Sequence, residues 1–457
     1  MRSNISLVLL LFFLVSSCRK GERITTDTNA KLTIATPELL FDTIFTSIGS
    51  ITKRLSIVNN NKDAVKVSEI TLTGGSSSAF SLNINGEDTF NKNDLVINGQ
   101  DSINLFVKVT INPNTESMPF LVQDSIILNT NGNRQVVKLL AYGQNAVFIN
   151  GQTIATNTTW TKSLPYIING VLTVKSGSSL IIQPGAKVYF HKDASLNVEG
   201  NLLVNGTVTD PVLFCSDRLE KLYNEEPGQW KGIFLKRTGN GMVKNAIIKN
   251  ASVGITSDSL SSTAEPKLIL SNSIIKNMQV AAYIGYHSEL LAFNNVMYNC
   301  GNYLIYAVGG GNYNLKQNTF AGYNLNFPRK TASLSFSDYL SAGAYNKLRL
   351  DFTNNIIWGS LTNELDIQKK TTAAIQLNLW NNLIRSANSS YSSNGNILNI
   401  DPSFINKEME NFEVSADSPA RKKGADLSSD PYFTGYLDKD RKGNTRISPS
   451  TLGSYEK

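Results

Sequence analysis

Asparagine recurs in one register along the second half of the chain, each time just ahead of apolar residues. The six positions are Asn245, Asn272, Asn294, Asn318, Asn354 and Asn381. Subtracting successive positions gives steps of 27, 22, 24, 36 and 27 residues, so one length recurs with a single enlargement. A period of this length is typical of a solenoid, in which similar units stack and bury a continuous core.

Stacking explains why asparagine suits such a repeat. Successive coils of a parallel β-solenoid lie about 4.8 Å apart, so equivalent side chains line up in a column. Asparagine tolerates the left-handed backbone of a sharp corner, and its amide both donates and accepts hydrogen bonds. We therefore predict that the six asparagines form a structural ladder. Asn250, Asn277 and Asn299 follow five positions after the first three and predict a second corner column. Scattered turn asparagines are the alternative.

Composition favours strands and argues against nucleic acid. Apolar residues make up 41% of the 457 residues and charged residues 17%, and no long segment has the period of an amphipathic helix. Runs rich in β-branched residues lie between Gly and Asn turns, which is typical of an all-β protein. The net charge of +7 is small for this length, and no basic stripe is interleaved with aromatic residues.

The first 17 residues are predicted to be a signal peptide, because Arg2 precedes an apolar stretch too short to span a bilayer. Residues 15–18 read Val-Ser-Ser-Cys, which resembles the lipobox of bacterial lipoproteins. The resemblance implies lipidation of Cys18, a tether over residues 18–31 and a lipid anchor in the cell outer membrane. Arg19 and Lys20 stand where related surface lipoproteins carry acidic residues, so the periplasmic and extracellular faces both stay open.

Residues 32–147 contain short alternating apolar runs separated by turns such as Asn59-Asn60-Asn61 and Gly74-Gly75. This spacing predicts a two-sheet sandwich of about seven strands. The segment resembles the immunoglobulin-like modules found at the N-termini of bacterial surface lipoproteins. It has no Cys-Trp-Cys core, which excludes an antibody-type domain.

Residues 148–400 change to short strands with Gly turns at steps of about ten residues, as in 180–190 and 194–206. These segments and Gly228-Gln229-Trp230 resemble the opening coils of single-stranded, right-handed parallel β-helices of the pectate-lyase-like (pectin lyase fold) superfamily. Residues 401–457 resemble the C-terminal segment that closes many secreted bacterial β-helix proteins, and a solenoid end needs such a cap. The predicted fold is thus an immunoglobulin-like β-sandwich followed by a capped β-helix.

The enlarged step between Asn318 and Asn354 holds about 12 more residues than a 24-residue step. Long loops on rigid solenoids often carry function, so this insertion, with segments 328–330 and 335–339, is the first candidate site. Catalysis on a β-helix would need charged groups that converge on one outer face. The candidates are Asp338, Arg349, Asp351, Glu364 and Asp366. A solvated polar face is the alternative.

Aromatic residues cluster in the same part of the chain and suggest a surface for stacking sugar rings. They are Tyr283, Tyr286, Tyr298, Tyr303, Tyr306 and Tyr313, with Trp358 and Trp380 further on. Interior packing is the competing interpretation for half of them or more.

The sequence does not contain the residue patterns of a catalytic triad or of a metal site. His191 and His287 lie apart and fit neither a triad nor a metal-ligand spacing, so structural roles are predicted for both. Residues 438–443 resemble a calcium loop, but Lys442 occupies a ligand place, and a turn is predicted instead. Cys215 and Cys300 are expected either as one disulfide or as two buried thiols. No metal or cofactor is predicted, and calcium would enter only with a lyase activity.

The sequence thus predicts a membrane-anchored, cell-envelope lipoprotein that acts as a non-catalytic polysaccharide-binding or structural module. Its expected partners are a polysaccharide or another envelope component, and the membrane through the lipid anchor. The alternative is a polysaccharide lyase or glycoside hydrolase that acts in the outer groove of the β-helix.

Overall fold

The computed structural model describes residues 23–324, 328–341, 344–370 and 375–457. Cys18, the predicted lipidation site, lies outside them. The chain divides into two compact units, Met1–Asn145 and Ala146–Lys457. Helix in the described residues is confined to 3₁₀ turns at Gly75–Ser77, Lys221–Tyr223 and Ser389–Ser392 and one π turn at Phe433–Leu437. None of the described helices has the length and apolarity to cross a membrane. The all-β prediction is confirmed.

The described part of the first unit is built from strands with mostly alternating burial. The strands are β1 (Ile24–Thr25), β2 (Thr33–Ile34), β3 (Glu38–Phe45), β4 (Lys53–Asn59), β5 (Ala64–Leu72), β6 (Phe80–Ile84), β7 (Glu87–Asp88), β8 (Asn91–Ile97), β9 (Asp101–Val109), β10 (Phe120–Thr130) and β11 (Asn133–Gln144).

These strands form two sheets. One has the order β1-β5-β10-β11-β3, with β8 also paired to β5, and the other has the order β2-β4-β9-β6-β7. Most pairs are antiparallel, and the inward residues, including Phe41, Leu55, Val107 and Leu139, are fully or almost fully buried in one core. The alternation of apolar and polar residues places one face of each strand in that core. The unit is an immunoglobulin-like sandwich.

The second unit consists of many short strands. They are β12 (Val147–Asn150), β13 (Thr153–Ile154), β14 (Thr158–Trp160), β15 (Tyr166–Asn169), β16 (Val171–Val174), β17 (Ser179–Ile182), β18 (Lys187–Phe190), β19 (Ser195–Val198), β20 (Asn201–Asn205), β21 (Val212–Ser216), β22 (Gly232–Leu235), β23 (Asn240–Lys244), β24 (Ala246–Lys249), β25 (Val253–Ser257), β26 (Leu268–Ser271), β27 (Ile274–Met278), β28 (Ala281–Phe293), β29 (Val296–Cys300), β30 (Tyr303–Lys316), β31 (Thr319–Gly322), β32 (Leu334–Ser337), β33 (Tyr339–Ser341), β34 (Ala344–Tyr345), β35 (Leu348–Thr353), β36 (Ile356–Gly359), β37 (Leu365–Gln368), β38 (Gln376–Trp380), β39 (Leu383–Ile384), β40 (Ile397–Leu398), β41 (Phe404–Asn406) and β42 (Asn411–Val414).

Strands β12 to β32 and β35 to β40 pair in parallel and form three columns, which is the arrangement of a parallel β-helix. One sheet has the order β12-β15-β18-β21-β24-β27-β29-β31-β36-β39-β40. The other two columns start at β13 and β14 and join into one sheet because the long strands β28 and β30 belong to both. All but the last coils therefore contribute one strand to each column, and the apolar residue at each inward position stacks on its equivalent in the next coil.

Strand β30 serves two columns because it bends at three consecutive glycines. Gly309, Gly310 and Gly311 have φ values of 79°, 75° and 122°, which side chains disfavour. A Cβ on Gly311 would lie 2.1 Å from the Ser288 carbonyl oxygen of the preceding coil. Glycine is thus required here by backbone conformation and by the close approach of the two strands.

The predicted amide ladder exists, but one residue later in the repeat. Asn295, Asn318, Asn355 and Asn382 have no exposed surface, and each Nδ2 donates to the Oδ1 of the asparagine in the next coil, at 3.0, 3.0, 2.9 and 3.1 Å, ending at Asn396. The same Oδ1 atoms accept the backbone N–H of the preceding asparagine at 2.7–2.9 Å. Each Nδ2 also donates to an interior carbonyl, as Asn355 does to Leu315 at 2.7 Å. The amide groups of these four ladder residues are thereby satisfied.

The other five predicted ladder residues belong instead to a corner column. Asn245, Asn272, Asn294, Asn354 and Asn381 have φ between 50° and 61°, which is the left-handed conformation that the sequence predicted for a corner. Asn318 alone of the six is a ladder member, because Gln317, with φ of 58°, holds the corner in its coil. The ladder residue is the next one along the chain, where the backbone has turned inward.

The second corner column is confirmed. Asn250, Asn277 and Asn299 have φ of 68°, 56° and 50°. Asn299 Nδ2 donates to Asn277 Oδ1 at 2.6 Å, and Asn277 Nδ2 donates to Glu225.

The C-terminal segment runs along a flank of the coils. Asn294 Nδ2 donates to the Tyr436 and Lys439 carbonyls at 2.6 and 2.9 Å, and Asn381 Nδ2 donates to the Lys423 carbonyl at 2.8 Å. Apolar contacts of the segment reach from Met242 to Ile397. At the last coil the buried Tyr391 packs into the β-helix core. The flank needs covering because several of its outward residues are apolar.

Candidate functional site

An open cavity of about 530 Å³ lies over the outer face of three successive coils. Tyr306 of β30 pairs with Ser335 of β32, and Ser335 pairs with Asp366 of β37, so these three side chains form one outward row. All three line the cavity, and residues 330–332 and 361–363 line it as well. We call it the tyrosine cavity. Residues 330–340 come from the insertion that the sequence selected as the first candidate site.

Two stacked aromatic rings form part of the lining of the tyrosine cavity. The rings of Tyr303 and Tyr306 stack with centroids 4.6 Å apart and planes 25° apart, and both side chains are partly exposed. Burial raises the pKa of Tyr306 above its ordinary value, and the neighbouring Tyr303, Tyr286 and Tyr339 add to that rise. The Tyr306 phenol therefore keeps its proton at neutral pH and can donate a hydrogen bond.

Polar groups occupy another part of the lining. Tyr339 donates its hydroxyl hydrogen to Gln368 Oε1, and Gln368 Nε2 donates to Asp366 Oδ2 at 2.7 Å. The Lys370 ammonium lies 4.2 Å from the centroid of the Tyr339 ring. The chain of bonds from Tyr339 to Asp366 fixes the positions of a hydroxyl, an amide and a carboxylate within one cavity.

Glu364, a sequence candidate for catalysis, is a structural anchor. It has no exposed surface, and Arg329 Nη2 lies 2.7 and 2.6 Å from its two carboxylate oxygens. Its oxygens also accept the N–H of Leu361 at 2.8 Å and of Ser333 at 3.1 Å. A buried charge must be paired in this way, and the pairing holds segment 361–363 at the rim of the cavity.

The five charged candidates do not converge on one site. Asp338 is fully buried and accepts the N–H of Lys370 at 3.0 Å. Arg349 and Asp351 line a different, smaller cavity of about 230 Å³ together with Glu289. Asp366 alone of the five lines the tyrosine cavity. The sequence did not single out Glu289 or Gln368, because a lone polar residue on a strand carries no signal until its neighbours in adjacent coils are known.

The aromatic candidates divide between interior and surface. Tyr283, Tyr298, Tyr313 and Trp358 are buried, with at most 5% of their surface exposed. Tyr286 is 38% and Trp380 50% exposed, and Tyr303 and Tyr306 lie between these extremes. Burial and Glu410, which accepts a hydrogen bond from the Tyr298 hydroxyl at 2.9 Å, raise the pKa of Tyr298 far above its ordinary range. Half of the eight are therefore buried, Tyr283 and Tyr313 in the core of the β-helix and Tyr298 and Trp358 against the C-terminal segment.

The remaining sequence candidates have local structural partners. His191 Nδ1 lies 2.7 Å from Asp217 Oδ2, and His287 Nδ1 lies 2.9 Å from the Gly309 carbonyl oxygen. Cys215 and Cys300 are free and buried, and burial raises the pKa of each thiol to about 12. These thiols are protonated and unreactive at neutral pH.

The calcium-like segment is a turn in the C-terminal segment. Asp440 Oδ1 accepts the N–H of Lys442 and of Asn444, both at 2.8 Å, and Asp440 Oδ2 accepts the Glu456 N–H at 2.9 Å. Both carboxylate oxygens are therefore engaged by the protein. In the residues that the structure describes, no group of three or more His, Cys, Asp or Glu side chains could hold a metal ion.

Fold and cavity together define a two-unit all-β protein that carries an open, tyrosine-lined surface site. No protein-family model matches the chain, and no curated protein matches it. The chain is similar to a family 123 glycoside hydrolase from Clostridium perfringens at 10% identity and a TM-score of 0.19, over 26% of this chain and 30% of that one. It is also similar to the ASH / PapD-like domain 7 of human CEP192 at 10% identity and a TM-score of 0.18, over 29% of this chain and 94% of that one. Similarity at this level indicates no shared activity.

Proposed function

We propose that the protein binds polysaccharide, without catalysis, at the tyrosine cavity. The observation that carries the proposal is the stacked pair Tyr303–Tyr306, 4.6 Å between centroids, at the edge of an open cavity of about 530 Å³. Aromatic rings offer an apolar face and a polar rim, which complements the C–H face and hydroxyl groups of a sugar. The volume lies within the usual range of ligand sites, roughly 300–1,000 Å³.

The polar lining supports a hydroxyl-rich ligand. Ser335, Ser337, Asn363 and Gln368 line the cavity and together supply both donors and acceptors. Asp366 is the only carboxylate among the described lining residues, whereas most glycosidases use two across the scissile bond. Binding without hydrolysis is the function that this set of groups supports best.

The test is binding of a panel of bacterial and plant polysaccharides to the purified protein, measured by calorimetry. We expect Tyr306→Ala to weaken binding of any retained glycan about tenfold, because truncation of an aromatic residue that anchors a ligand costs roughly 1–2 kcal/mol. Tyr142→Ala, a matched change at a 44% exposed tyrosine of the sandwich, should leave affinity unchanged. Equal affinity of wild type and Tyr306→Ala would remove the tyrosine cavity from consideration.

The alternative function, a polysaccharide lyase or glycoside hydrolase, would use a different cavity. Glu289, Arg349 and Asp351 line one cavity of about 230 Å³, which places two carboxylates and a guanidinium on one outer face. A lyase or glycosidase there would release unsaturated or reducing ends from a bound polysaccharide. Loss of that product in both Glu289→Gln and Asp351→Asn, with binding retained, would favour the enzyme, and absence of product with wild type would exclude it for the polysaccharide used.

We also propose that the protein is a lipoprotein of the cell outer membrane and that its β-helix is related to the pectate-lyase-like superfamily. The support is the Val-Ser-Ser-Cys sequence at residues 15–18 and the three columns of parallel strands. Cys18→Ala should move the protein from the membrane fraction to the soluble fraction, because the acyl chains supply the membrane affinity. Unchanged partitioning would refute the anchor.

A further inference from the structure

A second cavity adjoins the tyrosine cavity. It has a volume of about 480 Å³ and is lined by Trp358, Thr362, Arg385 and Asp401 among others. Thr362 lines both cavities, and the Ser386 hydroxyl of the second donates to Asn363 Oδ1 of the first at 2.9 Å. The two therefore share a rim, and we call the second one the arginine cavity.

The shared rim belongs to the folded core. Segment 361–363 is held from below by Glu364, which accepts the Leu361 N–H at 2.8 Å and pairs with Arg329 at 2.6 Å. Both Glu364 and Arg329 are buried. A rim with such support keeps the two cavities at a fixed spacing, as two binding positions for one extended ligand require.

Arg385 contributes a positive charge and N–H donors to the lining of the arginine cavity. Its guanidinium carbon lies 5.1 Å from the centroid of the Trp358 ring, and its Nη1 donates to the Gly359 carbonyl. Among the described residues no carboxylate lies within 4.0 Å of it, and the side chain is half-buried. A guanidinium has five N–H donors, so an oriented arginine in a concave site retains donors for an anion.

We propose that the arginine cavity binds an anionic group of the ligand whose neighbouring ring stacks on Tyr306, so that the ligand is an acidic polysaccharide spanning both cavities. The inference rests on the proposed function at the tyrosine cavity and extends it to ligand charge and length. Asp401, the other charged residue of the arginine cavity, has its Oδ1 engaged by the Ser403 N–H at 2.7 Å and would oppose the anion.

The test uses uronic acid oligosaccharides of increasing length, their carboxyl-reduced neutral counterparts, and sulfated neutral oligosaccharides. We expect the acidic oligosaccharides to bind at least tenfold more tightly than the neutral ones once they are long enough to reach both cavities. The preference should weaken as salt is added. Stronger binding of the uronates would identify a carboxylate as the anion, and stronger binding of the sulfated forms would identify a sulfate.

Three variants separate the inference from the proposed function. Arg385→Gln should lower affinity for the acidic oligosaccharides roughly tenfold and leave the neutral ones unchanged, whereas Asp401→Asn, at an exposed position, should raise affinity for the acidic ones. Arg237→Gln, at an exposed arginine of the β-helix that lines none of the three cavities, is the matched control and should leave affinity for every form unchanged. Equal binding of acidic and neutral forms, unaffected by Arg385→Gln and Asp401→Asn, would overturn the inference alone. Absence of binding by every form would overturn the proposed function with it.

Discussion

Two columns of asparagine run along the β-helix, one residue apart in the sequence, and their side chains bond to different parts of the protein. Asn355 faces the interior, where its amide joins those of Asn318 and Asn382 at 3.0 and 2.9 Å. Its neighbour Asn354 has a left-handed backbone and faces the flank, where Nδ2 donates to the Ala425 carbonyl at 3.0 Å. The same side chain thus connects coil to coil at one position and coil to C-terminal segment at the next.

The difference shows that role follows backbone conformation more than residue type. The left-handed residue turns the chain sharply. Its own side chain points outward, and the side chain of the next residue points into the interior. The interior amide then has no water and must be satisfied completely by protein. Asn354 is also buried, but its side chain makes two hydrogen bonds, both to Ala425 of the C-terminal segment, whereas the side chain of Asn355 makes four within the coils. Loss of an interior amide should therefore destabilise the fold more than loss of a corner amide.

The largest effect is expected for Asn355→Leu. The change removes the Oδ1 that accepts both the backbone N–H and the Nδ2 of Asn318, and the Nδ2 that donates to Leu315 and Asn382. Each buried group left without a partner costs about 1–3 kcal/mol. The free energy of unfolding should fall by about 3 kcal/mol or more, as measured by denaturant titration of the isolated protein.

The control is a leucine at an exposed asparagine of strand β30, Asn312. This change should leave the free energy of unfolding within about 0.5 kcal/mol of wild type. If Asn355→Leu were equally neutral, the interior ladder would not be a source of stability.

A smaller and more local effect is expected for Asn354→Gly. Glycine keeps the left-handed corner but removes the bonds of 3.0 Å to the Ala425 carbonyl and of 2.7 Å from the Ala425 N–H. We expect about 1–2 kcal/mol of destabilisation and faster amide exchange in residues 401–457, with the coil strands protected as in wild type. Equal acceleration in strands and C-terminal segment would show that the two columns are not separate in function.

The sequence allowed the β-helix to be predicted because its repeat is local. A coil needs a left-handed corner residue and apolar residues at fixed distances from it, and the sequence of each repeat contains both. The register of the ladder was wrong by one residue because asparagine occupies both positions in several coils, for example Asn294-Asn295 and Asn354-Asn355. The backbone conformation determines which asparagine of each pair lies at the left-handed corner. In one coil the corner residue is Gln317, so no asparagine marks the corner there.

The candidate site was less predictable because it forms between coils. The insertion pointed to the correct part of the chain, since seven of residues 330–340 line the tyrosine cavity. Yet Glu364 looked catalytic when it is the buried partner of Arg329. Arg385, which defines the second cavity, lies far along the chain from Tyr306 and carried no signal. Which charges are paired depends on stacking across coils, and a linear sequence does not encode that directly.

The smallest effect is expected at Asn272, where the contribution of the backbone conformation can be separated from that of the side chain. Asn272 has φ of 52°, and its Oδ1 is buried without a hydrogen-bond partner in the described residues. If the corner column is selected for conformation alone, Asn272→Gly should change the free energy of unfolding by less than about 0.5 kcal/mol. Asn272→Ala should cost about 1 kcal/mol, because alanine tolerates the left-handed region less well than asparagine does. Thermal denaturation of the two variants measures the difference, and equal losses in both would mean that the amide itself stabilises this corner.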